Sequence, residues 1–311
     1  MKIVFITGGY TPYRVAFCDS INKYMQDTKK GHLKLFLLSE QGFNANYDYS
    51  SLIRPYAEIL KGKTFVMKDH TTRFMINPKI VQKVKEENPD FIILGGSWTH
   101  PSTWILLKGK KRIGSPIYFW AESHFHNGLK RKQKVIWKEI IKRIIYNKFD
   151  GFFVPGLYAR EAIEETHCKN ADKCVQLPNL VENDKYVQAV VNKGQKLILR
   201  EKYQIEKNRI VLFTPSRLVD LKGIMEFLEN GRDELKNSVI TWIIAGMGPL
   251  KNQIQEYYKK NEIDVRLLGF VSQNEIIECL TLSDWFLLPS LSDPNPLSVI
   301  EALWAEMPLA L

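Results

Sequence analysis

Short apolar runs separated by amphipathic stretches recur along the whole chain. The first is KIVFIT, Lys2 to Thr7, closed by Gly8-Gly9 and followed by RVAFCDSINKYM, where apolar residues return at helical spacing. That order reads as strand, glycine loop, helix. LKLFLLS, then DFIILGG before WTHPSTWILLKGKK, PIYFWAES before a long basic helix, and GFFVPG before YAREAIEE continue the pattern. After PNLVENDKY it begins again with RIVLFTPSR, a helix from Gly223, VITWIIAG, a helix from Pro249, VRLLGF, a helix near Asn274, DWFLLPS and a last helix. Apolar strands alternating with helices predict an α/β protein with parallel, doubly wound sheets. Two series predict two Rossmann-like domains, residues 1–182 and 183–311, with a linker near Val181 to Val191 where polar residues interrupt the pattern.

Composition changes this picture little. The 311 residues are 45% hydrophobic and 25% charged, enough to bury a sizeable core in each domain. No run reaches the roughly 18 apolar residues of a spanning helix, and MKIVFITGGY is too short and too soon broken by glycine for a signal peptide. A cytoplasmic location is expected. Cys18, Cys168, Cys174 and Cys279 form no CxxC pair and read as reduced thiols. His167 beside Cys168 lacks the partners of a zinc site.

Charge changes it more. A formal net charge of +10 calls for an anionic partner or simply for solubility. The basic stretch LKRKQKVIWKEIIKRIIYNK, residues 129–148, puts Ile136, Trp137, Ile140, Ile141, Ile144 and Ile145 on one face, while Lys130, Lys134, Lys138 and Lys142 recur every four residues. Two readings stand: a domain helix with a solvated basic face, or a contact with an anionic membrane surface. Nucleic acid is not expected, because no RRM, zinc-finger or KH pattern occurs and the aromatics lie in apolar strands and helices.

The candidate chemistry concentrates in SDPNPLSVIEALWAE, where Asp293 and Glu301 stand eight positions apart across a helix start. Asn295 suits an N-cap and Pro296 the first helical position. The amides of Leu297 and Ser298 would then face an anion such as a diphosphate. Asp293 and Glu301 would accept hydrogen bonds from sugar hydroxyls; the plainer reading is a capped core helix with Glu301 on a solvated face. PSRLVDLKG adds Arg217 and Lys222 at a strand-to-helix turn, where parallel sheets collect ligands. IIAGMGPL adds Gly246 and Gly248, where backbone turns sharply or approaches something closely.

Taken in order, GGY, FTPSRLVDLKG, IIAGMGPL, VRLLGFV, LSDWFLLPS and SDPNPLSVIEA resemble the GT4 family of retaining glycosyltransferases, which have the GT-B fold. GGSWTHPSTW, YFWAES and DGFFVPGLYAREAI resemble a GT4 subgroup that builds surface polysaccharides and lipopolysaccharide. The resemblance implies a nucleotide-diphosphate sugar donor held mainly by the second domain, a glycan or lipid-linked acceptor at the first, and a cleft between them. It implies that Arg217 and Lys222 grip the donor diphosphate and that Gly8 and Gly9 form the loop approaching phosphates and acceptor. Asp293 and Glu301 would take sugar and ribose, and Leu268, Gly269 and Phe270 would lie against the base. Glu122 and His124, after the strand PIYFW, are the catalytic candidates on the acceptor side; His100 and His126 are weaker, and His32, His70 and His167 are incidental.

Departures from the family are also visible. Asp293 replaces the usual glutamate, Pro296 stands where glycine is frequent, and so does Glu306. No D-x-D metal motif occurs, so neither metal nor other cofactor is expected. The chain stops at Leu311, before the closing strand and helices of the family, so the second domain is expected to be truncated. An inactive fragment or a nucleotide-binding subunit needing a partner is the rival expectation, and an epimerase-like or regulatory GT-B protein a third.

Overall fold

A computed structural model describes residues 1–9, 11–39, 53–66, 73–122, 136–293 and 296–311. Over these residues the chain forms two compact units, one from Met1 to Leu180 and one from Val181 to Leu311.

The first unit contains strands β1 (Lys2–Thr7), β2 (His32–Leu37), β3 (Ala57–Ile59), β4 (Lys63–Val66), β5 (Arg73–Ile76), β6 (Phe91–Gly95), β7 (Ile117–Trp120), β8 (Gly151–Val154) and β9 (Cys174–Gln176). Its helices are α1 (Pro12–Asp27), α2 (Ile80–Glu86), α3 (Pro101–Ile113), α4 (Ile136–Tyr146) and α5 (Leu157–Glu164). Seven strands make a parallel sheet in the order β3-β2-β1-β6-β7-β8-β9, while β4 and β5 pair antiparallel. Both sheet faces are buried, which explains the continuous apolar strands. Within β1, Val4 and Ile6 enter one core cluster and Ile3 and Phe5 the other. Pro12 and Pro101 open α1 and α3, where the missing N–H goes unneeded, and Gly114 ends α3 in the left-handed region.

The second unit contains α6 (Asn183–Val191), α7 (Lys196–Lys202), β10 (Ile210–Pro215), α8 (Ile224–Asn230), α9 (Arg232–Lys236) and β11 (Ile240–Ala245). It continues through α10 (Lys251–Lys260), β12 (Val265–Gly269), α11 (Gln273–Leu282), β13 (Trp285–Leu287), α12 (Leu297–Trp304) and β14 (Leu309–Ala310). Its parallel sheet has the order β12-β11-β10-β13-β14, and again each strand feeds two cores: Ile243 and Ala245 one, Trp242 and Ile244 the other. The chain therefore runs outward from β10 in one direction, then returns to add β13 on its other side. That reversal leaves a crevice beyond the carboxyl ends of β10 and β13. In the first unit the reversal lies between β1 and β6.

Three sequence expectations change. The linker is not a linker: Asn183–Val191 is helix α6, whose Tyr186 and Ala189, three residues apart on one face, are buried in the core of the second unit. In the basic helix, Lys142 is not on a solvated face but buried, with Nζ 5.2 Å from the Tyr146 ring centroid. The apolar face of that helix also divides, for Ile145 is buried while Trp137, Ile140 and Ile144 are 58%, 54% and 55% exposed. Residues 129–135 lie outside the described residues.

Glu306 gains an explanation. It follows the C-cap of α12 with φ +52°, the left-handed position where glycine is favoured, and forms an ion pair with Lys193 at 2.9 Å.

Candidate functional site

The crevice of the second unit is built from loops that leave β10, β11 and β13. Ser216 N–H donates to Ala245 O at 2.8 Å and Gly246 N–H to Gly269 O at 2.7 Å, tying three strand ends together. Only glycine fits this junction: Gly246 has φ +158°, and a Cβ there would lie 1.8 Å from Ser216 O. Gly223, φ +62°, admits the loop after β13 in the same way, since its Cβ would meet Pro289 O at 2.0 Å.

That approach brings Lys222, in a short 3₁₀ turn, onto Asp293, and the two form an ion pair across the crevice. Both side chains are less than one-fifth exposed. Arg217 stands on the same loop as Lys222, exposed and without an ion pair among the described residues. One cation is therefore available to an incoming anion and the other is already matched.

Helix α12 starts one residue later than the sequence suggested. Pro296 is the N-cap, with ψ 92° outside the helical range, and Leu297 is the first helical residue. Asn295 cannot then be the N-cap; the residue itself lies outside the described residues. The reason is conformational: proline's fixed φ suits a helix, but ψ decides membership. Val299 N–H donates to Pro296 O at 3.0 Å, and the amides of Leu297 and Ser298 have no partner among the described residues.

Glu301, on the second turn of α12, accepts a hydrogen bond from the Tyr186 hydroxyl at 2.7 Å. Burial pushes its carboxyl above the usual carboxylate range, and the Tyr186 bond pulls against that. Because the folded protein then binds the proton more tightly than the unfolded chain, stability falls as pH rises through the interval between the two values. Glu301→Gln is accordingly expected to raise the melting temperature at neutral pH and to lessen its decline as pH rises above about 4, the unfolded value. Thermal melts across that range check it; a variant less stable at every pH would refute it. Leu268 and Gly269 end β12, with Gly269 at φ +75°, and Phe270 follows 45% exposed.

The first unit has its own site. A cavity of about 330 Å³ lies beyond β1 and β6, lined among others by Gly8, Arg14, Gly96, Thr99, His100 and Glu122. Gly9 is buried beside Gly8. Glu122 is held at both oxygens: Arg14 Nη2 donates to Oε2 at 2.5 Å and Asn179 Nδ2 to Oε1 at 3.0 Å. Arg14 is 6% exposed and stacks on Trp120, its Cζ 4.9 Å from the ring centroid. His100 is buried, which lowers its pKa and favours the neutral ring. His124, His126 and His70 lie outside the described residues.

Sequence reading did not single out Arg14, Asn179 or Tyr186, which the structure places on Glu122 and Glu301. Arg14 and Tyr186 reach their carboxylates across 108 and 115 residues. Arg14 did leave a signal: a cation at the start of an otherwise apolar helical face, directly after a glycine loop.

Residues 195–310 match the family Glycosyl transferases group 1. The chain is 32% identical over 137 residues to the UDP-Gal:alpha-D-GlcNAc-diphosphoundecaprenol alpha-1,3-galactosyltransferase of Escherichia coli, a match covering 42% of this chain and 34% of that enzyme. It is 26% identical over 313 residues to an uncharacterized glycosyltransferase of Methanocaldococcus jannaschii, covering 93% and 74% of the two chains. The match thus spans about a third of the first relative and about three-quarters of the second. Among solved structures, Anabaena HepE in complex with UDP and glucose superposes with a TM-score of 0.72 at 15% identity, over 99% of this chain and 80% of that one. Two parallel Rossmann-like sheets and the superposition on HepE show the GT-B fold, and the second of those sheets lies in the segment that matches group 1 glycosyl transferases.

Proposed function

We propose that the protein transfers a hexosyl group from a uridine diphosphate sugar to a cell-surface glycan or lipid-linked acceptor, with retention of configuration. The observation that carries this is the Lys222–Asp293 ion pair spanning the switch point of the second sheet, with Arg217 on the same loop and Glu301 on the helix that follows. Diphosphate oxygens would draw Lys222 from Asp293, joined by Arg217 and the amides of Leu297 and Ser298. Asp293, so released, would accept from the sugar hydroxyls, and Glu301 from the ribose. Cations and helix amides would stabilise the leaving diphosphate as charge builds on it, and no metal or other cofactor is invoked. Leu268, Gly269 and Phe270 would meet the base. HepE holds UDP and the Escherichia coli relative takes UDP-Gal, which supports uridine over guanosine.

On the acceptor side, Glu122 would orient the attacking hydroxyl. Helix α4 would rest on the cytoplasmic face of an anionic membrane, with Trp137, Ile140 and Ile144 entering the interface and Lys138 and Arg143 exposed beside them. No described helix is long and apolar enough to cross a membrane.

The test is incubation of the chain with radiolabelled UDP-hexoses and vesicles carrying sugar-diphospho-lipid acceptors. Label is expected in the lipid fraction in step with UDP release, and vesicle binding is expected to fall with salt. UDP binding without release of either product would favour the nucleotide-binding subunit instead.

A further inference from the structure

The residues of the first unit's cavity leave one buried cationic donor without a partner among the described residues. Arg14 Nη1 is buried and has no hydrogen-bond partner among the described residues, although Nη2 is paired with Glu122. A buried guanidinium edge left empty costs free energy that a ligand oxygen would recover. On one side the Gly95 backbone packs directly against Nη1, since a Cβ there would lie 2.6 Å from it, so a side chain at this position would displace the guanidinium. His100 Nδ1 is also buried and without a partner among the described residues, as donor or acceptor according to its tautomer.

Glu122, the one carboxylate among the described lining residues, is engaged at both oxygens. Arg73 brings a second cation to the lining, and Tyr13 and Thr99 bring hydroxyls. The position is the switch point of the seven-stranded sheet, beyond the carboxyl ends of β1 and β6, where such sheets bind ligands.

We propose that this cavity is a subsite for a phosphate ester on the acceptor substrate, with Arg14 as its principal ligand. A phosphate is acceptor-only, and the flat guanidinium edge matches two of its oxygens. The volume of about 330 Å³ admits a phosphate with part of the attached sugar. The proposal deepens the acceptor-side reading above and rests on it.

Calorimetric titration of the full chain with N-acetylglucosamine 1-phosphate, N-acetylglucosamine and UDP separates the two. The phosphate ester is expected to bind about tenfold or more tightly than the parent sugar. That advantage is expected to vanish in Arg14→Lys, which keeps a charge for Glu122 but loses the fork, and in the charge-balanced Arg14→Gln/Glu122→Gln double variant. It is expected to survive Arg217→Ala. Equal affinity for sugar and ester in the wild type would overturn the proposal, and so would ester binding that depends on Arg217 but not Arg14. Arg14 variants that weaken UDP and spare the ester would assign the phosphate to the donor and overturn it too. Loss of UDP binding alone, with the Arg14-dependent ester binding intact, would instead count against the donor site.

Discussion

Arg217→Ala is expected to weaken UDP binding by about ten- to a hundredfold and uridine binding by less than about twofold. A charge-assisted phosphate contact is worth roughly 1.5–3 kcal/mol, and uridine has no phosphate to lose. The exposed Arg217 has no ion pair among the described residues, so its removal leaves no buried partner behind. Lys222 differs, because in the free protein Asp293 already holds it. Asp293→Asn should therefore change UDP affinity in the opposite direction, tightening it several-fold as the lysine is freed and a carboxylate leaves the diphosphate's surroundings, while sugar transfer falls. Titration calorimetry reads the three affinities, and a transfer assay reads the fourth quantity. If Arg217→Ala weakened uridine as much as UDP, the diphosphate would have to lie elsewhere.

Asp284→Asn should have the largest effect on stability, a loss of about 3–5 kcal/mol. Asp284 accepts from Lys196 Nζ at 2.6 Å, from Arg200 Nη2 at 2.6 Å and from the Val211 amide at 2.7 Å, joining α7 to the starts of β10 and β13. The Arg200 side chain is only 5% exposed, and loss of its carboxylate leaves a buried cation with carbonyls alone. Burial tends to raise the Asp284 pKa, but Lys196, the Val211 amide and Arg200 outweigh it and hold the carboxyl below its ordinary value. The folded state therefore releases the proton more readily than the unfolded chain. The stabilisation is complete above about pH 4 and is lost as pH falls through the folded value. Denaturant titrations at neutral and acid pH should show the variant's deficit shrinking below about pH 4. A deficit that stays constant with pH would rule out this origin.

Much of this was present in local pattern. Runs such as KIVFIT and VITWIIAG are apolar on both faces, which is what a parallel sheet covered on both sides requires, and both series of strands lie in such sheets. Arg217, Lys222, Asp293 and Glu301 stood out because strand ends and helix starts are themselves local features. The short strands β3, β9 and β14 were not legible, since two or three residues carry no period and, unlike β13 in DWFLLPS, they do not lie in a longer apolar run. Helix α6 was hidden for a related reason, with only Tyr186 and Ala189 of its nine residues buried.

The sequence by itself determined the order of the longer core strands and the helices that follow them, and the places where a ligand could meet free amides and cations. These depend on residues within a few positions of one another, where periodicity, capping and turn chemistry act. Only the tertiary structure decided which charges are matched and which remain open. It put Lys222 on Asp293, Tyr186 on Glu301 and Arg14 on Glu122, while Arg14 Nη1 kept no partner among the described residues. Such pairings follow from strand order, because a polar atom's partner is set by which distant strand ends the sheet brings together, and burial then makes each match or mismatch matter.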